Sequence, residues 1–431
     1  MTRAADRREV PSITNRPNPN RPRHSRLAAL QSRNFRLYLS GQASATTGLW
    51  VQRIAQDWLV LTLTGSAYAV GVTTALQWAP MLVFGMVGGW IADHCSKRRV
   101  LQATQTAAAS IAAALAALTL THHVMAWHVQ LLAAALGAVA AIERPVRSAF
   151  VPDLVETSLL SSAISVSFSV FYLGNFAGPA ISGVLITAIG PGWAFAFTAF
   201  SYIVPLIALA CIDSRRLQHL GPALKIVAPS PSLRTLLLRP QIWRPIMVGG
   251  VFGMFTYNLP VILTSYANNS HAGPAGYSLL TSSLALGSVV GGFISASRTT
   301  ATLRTIGTAA YCLAGTYVVA AAMPTVWALG GVLAVLGVMS TLLFTATNTT
   351  VQLAVGSGLR GRILALYIVV ETGSAAIGGP ILGLIVQHLG SRTGIFLAGA
   401  VPAAVLLLVT VAGLGIRNIS GKHGSTSSTT P

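Results

Sequence analysis

Two carboxyl side chains, Asp57 and Glu371, lie well inside long apolar runs of a 431-residue chain that holds only 9 Asp and Glu in all. A carboxyl removed from water is costly to keep, and its chemistry is to hold a proton and release it when water or a cation reaches it. Glu371 has no cation on its own run and falls eight residues into it, about 12 Å deep at the 1.5 Å rise of a helix. It reads either as a proton carrier or as a neutral acid hydrogen-bonded to neighbouring backbone. Asp57 follows Arg53 by four residues, one helical turn. The two either neutralise each other or serve a common cavity, with Asp57 as the partner of a cationic substrate. Gln42, Thr46, Arg53, Gln56 and Asp57 fall on one face at 100° per residue, so this helix turns a polar stripe inward.

Other polar groups interrupt the apolar pattern at fewer places. Tyr257, Asn258 and Pro260 combine hydrogen-bonding side chains with a helix breaker, which suits either a hinge lining a pocket or plain packing. Glu143, Arg144 and Arg147 form a charged cluster at the expected end of a run, either an inter-helix gate or an interfacial anchor. The stretch Val87-Gly88-Gly89-Trp90-Ile91-Ala92-Asp93 runs from an apolar helix to one acid and then into Lys97-Arg98-Arg99. Small residues let helix backbones approach closely, and Asp93 is suited to accept hydrogen bonds from the free N–H groups of a neighbouring helix start.

The elements that position these groups are membrane helices. With 53% hydrophobic and 9% charged residues, the chain has too few charges to cover a soluble surface. Twelve apolar runs are long enough to cross about 30 Å of hydrocarbon, at approximately 36–63, 67–93, 100–121, 124–147, 158–188, 191–212, 243–267, 276–297, 304–323, 326–354, 363–388 and 393–416. All Lys and Arg except Arg53, inside the first run, and Arg392, in an outer loop, fall on the side shared by both termini. Both termini are therefore expected in the cytoplasm. The formal charge of +19 does not imply nucleic-acid binding, because the cations sit between apolar runs and not on a soluble face. Cys95, Cys211 and Cys312 have no paired or metal-type spacing. No cofactor is expected.

The chain divides into a basic disordered tail over 1–33, a six-helix half over 34–212, a cytoplasmic linker over 213–242, a second half over 243–416 and a disordered tail over 417–431. The halves look duplicated. Val87-Gly88-Gly89 returns as Val290-Gly291-Gly292, and Gly178-Pro179 with Gly183 returns as Gly379-Pro380 with Gly383, at nearly equal offsets. Ala296 stands where Asp93 stands, so the copies are not equivalent.

Two six-helix repeats joined by a basic linker, with a glycine-acid-cation loop after the second helix, resemble the major facilitator superfamily. Gly89, Asp93, Lys97 and Arg98 match its loop pattern, with His94 and Ser96 as departures. Gly178, Pro179 and Gly183 resemble its antiporter-type motif on the fifth helix, although Asn175 stands where an arginine is common. The branch that includes siderophore exporters and actinobacterial drug-efflux proteins is similar at Gln52 to Leu59, Glu143 to Phe150, Asn348 to Ala354 and Leu359 to Arg362. The resemblance implies an all-α integral membrane fold of twelve helices, with Asn348 and Gln352 on a cavity-lining helix. It implies an inner-membrane, multi-pass, monomeric, proton-coupled exporter of a drug-like molecule or siderophore. A metabolite importer, or a non-transporting sensor of the same fold, is the alternative. Asp93 is expected to latch the outward-facing state against the start of the eleventh helix, beside Arg362.

Overall fold

A computed structural model of the chain describes residues 28–213, 239–296, 302–355 and 360–423, and these fold into twelve long helices. The remaining tail residues and most of the expected linker lie outside the described residues. The first six helices are α1 (Arg33–Thr64), α2 (Ala67–His94), α3 (Lys97–Leu120), α4 (Ala126–Leu154), α5 (Leu160–Ile189) and α6 (Pro191–Cys211). The second six are α7 (Pro240–Asn269), α8 (Gly273–Ala296), α9 (Leu303–Ala321), α10 (Val326–Ala354), α11 (Arg360–Leu389) and α12 (Ser391–His423). Brief interruptions occur at Tyr202 in α6 and at Tyr257-Asn258 in α7.

Local chemistry sets the helix ends. Ser32 caps α1 by accepting from the Phe35 N–H; at the other end Gly65, at φ +63°, closes the helix and Ser66 caps α2 through the Ala69 N–H. The one-residue turns before α6 and α12 use Gly190 at φ +90° and Gly390 at φ +85°, 200 residues apart. The same turn in the same place of each half is backbone evidence for the repeat.

Three boundaries differ from the sequence reading. Ala28–Gln31 form a short 3-10 turn inside the segment expected to be a disordered tail, because Ala28 and Ala29 are buried and the Ser32 hydroxyl donates to the Leu154 carbonyl. The last helix continues past residue 416 to His423. α4 continues through Pro145 and Pro152 to Leu154 instead of ending near 147. Val146, Phe150, Val151 and Leu154 are packed in one apolar cluster, and that packing carries the helix through its prolines.

The packing is asymmetric along the helix axes. On the side away from the termini, one apolar core crosses both halves, from Val51, Trp58 and Val70 to Leu259, Tyr277 and Leu382. On the side of the termini there are two separate clusters, one around Phe35, Leu101 and Phe150 and another around Ile242, Val351 and Tyr367. The seams between halves are α2 with α11 and α5 with α8. On the far side a Cβ at Gly383 would stand 2.7 Å from the Ala67 carbonyl oxygen, and the Ser66 hydroxyl donates to Gln387 at 2.8 Å. Gly183 of α5 abuts Ser278 of α8 there. Toward the termini, Gly88 still packs on α4 of its own half, but Gly85 and Gly89 face open space and Asp93 is exposed. The molecule is closed on the far side and open on the side of the termini.

Close glycine contact, not apolar burial, holds such a seam in lipid, so added volume should pry it apart. In a background with Cys95, Cys211 and Cys312 replaced by serine, a Ser66→Cys, Gln387→Cys pair should crosslink readily. Adding Gly383→Val should slow that crosslinking about tenfold, since overpacking costs about 1–3 kcal/mol. An unchanged crosslinking rate would show that this seam does not depend on the glycine.

Candidate functional site

At mid-depth, where the two clusters on the open side give way to the shared core, one indole collects groups from three other helices. Trp78 of α2 is 8% exposed. The Arg53 guanidinium of α1 lies 4.6 Å from its ring centre and the Arg144 guanidinium of α4 lies 5.4 Å away. Arg53 also stands 5.3 Å from the ring of Trp50. From the other half, the Tyr257 ring of α7 approaches Trp78 to 5.2 Å and Phe344 of α10 to 5.7 Å. The Tyr257 hydroxyl donates to Glu371 Oε1 of α11 at 2.6 Å. Cations, indole, phenol and carboxyl thus form one continuous path across the two halves.

Asp57 belongs to a second, deeper contact on the closed side. It is 3% exposed, and its Oδ2 accepts from the Tyr277 hydroxyl of α8 at 2.9 Å. Tyr277 also stacks on Trp58. This bond joins the first half to the second, so it exists only while the far side is closed. Arg53 and Asp57 make no ion pair with each other; Arg53 turns to the indoles and Asp57 to the tyrosine. The neighbouring Gln56 accepts from Gln77 of α2 at 3.3 Å.

The remaining residues singled out from sequence fall into three groups. Asn258 is buried at the interruption of α7 and donates to the Met254 and Ala375 carbonyls at 2.7 and 2.8 Å, tying the break to α11 beside Gly378 and Gly379. Gln352 donates to Asn348 on α10, and Gln42 donates to the Ser167 carbonyl of α5 at 3.2 Å. Gly178 packs on Trp50 and Thr47 of α1, with Pro179 inside α5. The loop cations stay within the first half: Lys97 pairs with Asp153 at 2.7 Å, and Arg98 donates to the Ala210 carbonyl at 2.8 Å. Glu143 and Arg147 pair at 3.6 Å. Because α4 runs on to Leu154, Arg144 sits ten residues inside the helix instead of at its end. Asp93 has no hydrogen-bonding or ion-pair partner among the described residues, and the side chain of Arg362, in the first turn of α11, lies outside them.

Trp78, Trp50, Tyr277 and Phe344 were not singled out from sequence. Only Gln77-Trp78 just before Pro80 carries a local signal, a polar and aromatic pair beside a helix breaker.

A family model described as transmembrane secretion effector matches residues 24–429. The chain belongs to that family. It is a membrane transporter of the major facilitator superfamily, as its motifs indicated. It is 27% identical to the enterobactin exporter EntS of Citrobacter koseri over 81% of this chain and 84% of that one. It is 25% identical to the multidrug efflux pump Tap of Mycolicibacterium fortuitum over 87% and 94%. The staphyloferrin A transporter of Staphylococcus aureus is 29% identical, but over only 37% of this chain and 41% of its own length. Two solved structures share the fold. A POT family transporter in complex with a thioalcohol-conjugated peptide has a TM-score of 0.71, with 13% identity over 89% of this chain and 96% of that one. A bacterial homologue of the human lysosomal transporter Spinster, inward-facing and occupied, has a TM-score of 0.70, with 14% identity over 88% and 97%.

The contact of Arg53 with Trp78 should be measurable as a coupling. Desolvated cation–π contacts contribute about 2 kcal/mol. A double-mutant cycle of Arg53→Gln and Trp78→Leu, read by thermal unfolding in detergent, should therefore show about 0.5–2 kcal/mol of non-additivity. Strict additivity would mean that the two side chains merely lie near each other.

Proposed function

We propose that this chain is a proton-coupled exporter of a small amphipathic compound, drug-like or siderophore-like, that works by rocking of its two halves about the mid-depth site. The observation that carries the reading is Glu371: a buried acid, 9% exposed, hydrogen-bonded to a tyrosine whose ring lies 5.2 Å from the Trp78 indole. The kinship to exporters of siderophores and drugs supports the direction of transport. The distribution of Lys and Arg supports placing both termini, and hence the open side, in the cytoplasm. The protein is read as a monomer in the inner membrane, with protons and one small molecule as its partners.

On this reading the substrate enters from the cytoplasm while the far side is closed. The proton on Glu371 leaves to cytoplasmic water as the cavity fills, and the Tyr257 hydroxyl keeps the resulting carboxylate hydrogen-bonded. Rocking then parts Tyr277 from Asp57 and opens the far seam. Substrate leaves outward and a proton from outside returns to Glu371. Asp57, exposed to that same opening, takes part in the exchange as the second proton-coupling acid. As the cytoplasmic side closes, the end of α2 approaches the start of α11, and Asp93 gains the free N–H groups there. Gly89 lets the two helices meet, and Lys97 and Arg98 hold the loop in place. Glu143, Arg144 and Arg147 close the same side from α4.

In proteoliposomes with an imposed pH gradient, Glu371→Gln should abolish uphill flux and keep substrate binding, because a neutral amide has no proton to exchange. Asp57→Asn should slow flux while retaining part of it. Pumping by Glu371→Gln at the parent rate at every pH would remove Glu371 as the carrier.

Asp93→Asn should insert normally and reduce transport about tenfold, the effect of losing ~1.4 kcal/mol from one state of the cycle. Full transport by a normally inserted Asp93→Asn protein would leave Asp93 a local residue with no part in closure.

A further inference from the structure

Arg53 and Arg144 present an electrostatic problem that the protein alone does not solve. Arg53 is 7% exposed, its Nε has no hydrogen-bond partner, and Arg144 faces the same indole. Neither lies within ion-pair distance of a carboxylate among the described residues. The two buried acids of these helices are each hydrogen-bonded to a tyrosine, Asp57 to Tyr277 on the closed side and Glu371 to Tyr257. Arg147 pairs with Glu143 at 3.6 Å, whereas Arg53 and Arg144 lie against the faces of Trp78 and Trp50 with no carboxylate in direct contact among the described residues. Two like charges sharing one ring away from water are costly unless a counter-charge completes the set. A guanidinium is planar, with donors matched to two oxygens of an anion.

The walls beside this charge are aromatic. Trp78, Tyr257 and Phe344 form an aromatic run beside the arginines, with Tyr257 tilted against Trp78 and stacked on Phe344, and Tyr257 bonded to Glu371. A flat ring fits such walls, and a negative group on that ring would meet the guanidiniums. We propose that Arg53 and Arg144 are the anion end of the substrate site and that the transported compound is an aryl anion, a carboxylate or phenolate on an aromatic ring. This rests on the exporter reading above and names the substrate class for it. It reverses the charge that Asp57 suggests when the sequence is read alone, because the structure turns Asp57 toward the closed seam and Arg53 toward the cavity.

Three probes of one shape test the inference: 1-naphthoate, 1-naphthamide and 1-naphthylmethylammonium, titrated against the full chain in nanodiscs and followed by tryptophan quenching. Naphthoate should bind about tenfold or more tightly than the ammonium compound, with the amide between them. Arg53→Gln and Arg144→Gln should each weaken naphthoate about tenfold and leave naphthamide within about twofold, so that retained amide binding certifies the fold. Arg53→Lys should recover part of the loss. Equal or tighter binding of the ammonium compound would overturn the proposal, as would parent-like naphthoate affinity in both glutamine variants or no naphthoate binding at all. Flux separates this from the exporter reading. Naphthoate that binds but is never driven by a pH gradient would refute export and keep the site, whereas driven flux of the ammonium compound without naphthoate binding would keep export and refute the site.

Discussion

The contact on which the rest of this structure depends is the gathering of Arg53, Arg144 and Tyr257 around the indole of Trp78. A bilayer offers no water to a charge, so each ionisable group inside must be held by another protein group. Trp78 does this for two cations of the first half, and through Tyr257 it touches the acid of the second. It stands at the depth where the halves stop sharing one core and begin to part. A shift of either half therefore changes the surroundings of Glu371 and of both arginines together.

The seam beyond Trp78 is made of backbone. Gly71, Gly379 and Gly383 bring α2 and α11 into contact, and Gly183 does the same for α5 against Ser278. Lipid tails are as apolar as leucine side chains, so such contacts hold through fit and not through burial. That keeps the closed state only modestly favoured, as a transporter needs. The tyrosine bond to Asp57 and the Ser66 bond to Gln387 add directional elements between the halves on this side.

How much of this was legible in the sequence follows from whether the signal is local. The twelve spans are visible because each is a long apolar run, and the repeat because a Gly-Pro pair followed within four residues by a glycine recurs on two helices; the structure adds Gly190 and Gly390 as matched turns. The depth of Arg144 was misread because Pro145 looks like a helix end, whereas packing of Val146 and Phe150 carries α4 past it. Trp78 was missed because a tryptophan in an apolar run is ordinary until its neighbours are known. The Asp57–Tyr277 bond joins residues 220 apart, and no spacing rule reaches that far. Asp93 illustrates a different limit: its proposed partner belongs to a state other than the one seen, so a motif match outlasts what one conformation displays.

Two tyrosine–carboxyl pairs, at different depths, also suggest why the second half lost its copy of Asp93 without losing symmetry of function. Glu371 is bonded within its own half and keeps that bond as the halves rock, whereas Asp57 is bonded across them and loses it. One carboxyl is thus tied to a tyrosine of its own half and the other to a tyrosine of the opposite half. A duplicated chain with identical halves would place the same kind of acid in both and would lack this distinction. Ala296 stands where the repeat would place a second Asp93, a further difference between the copies. The two halves share a scaffold and differ in a few polar residues.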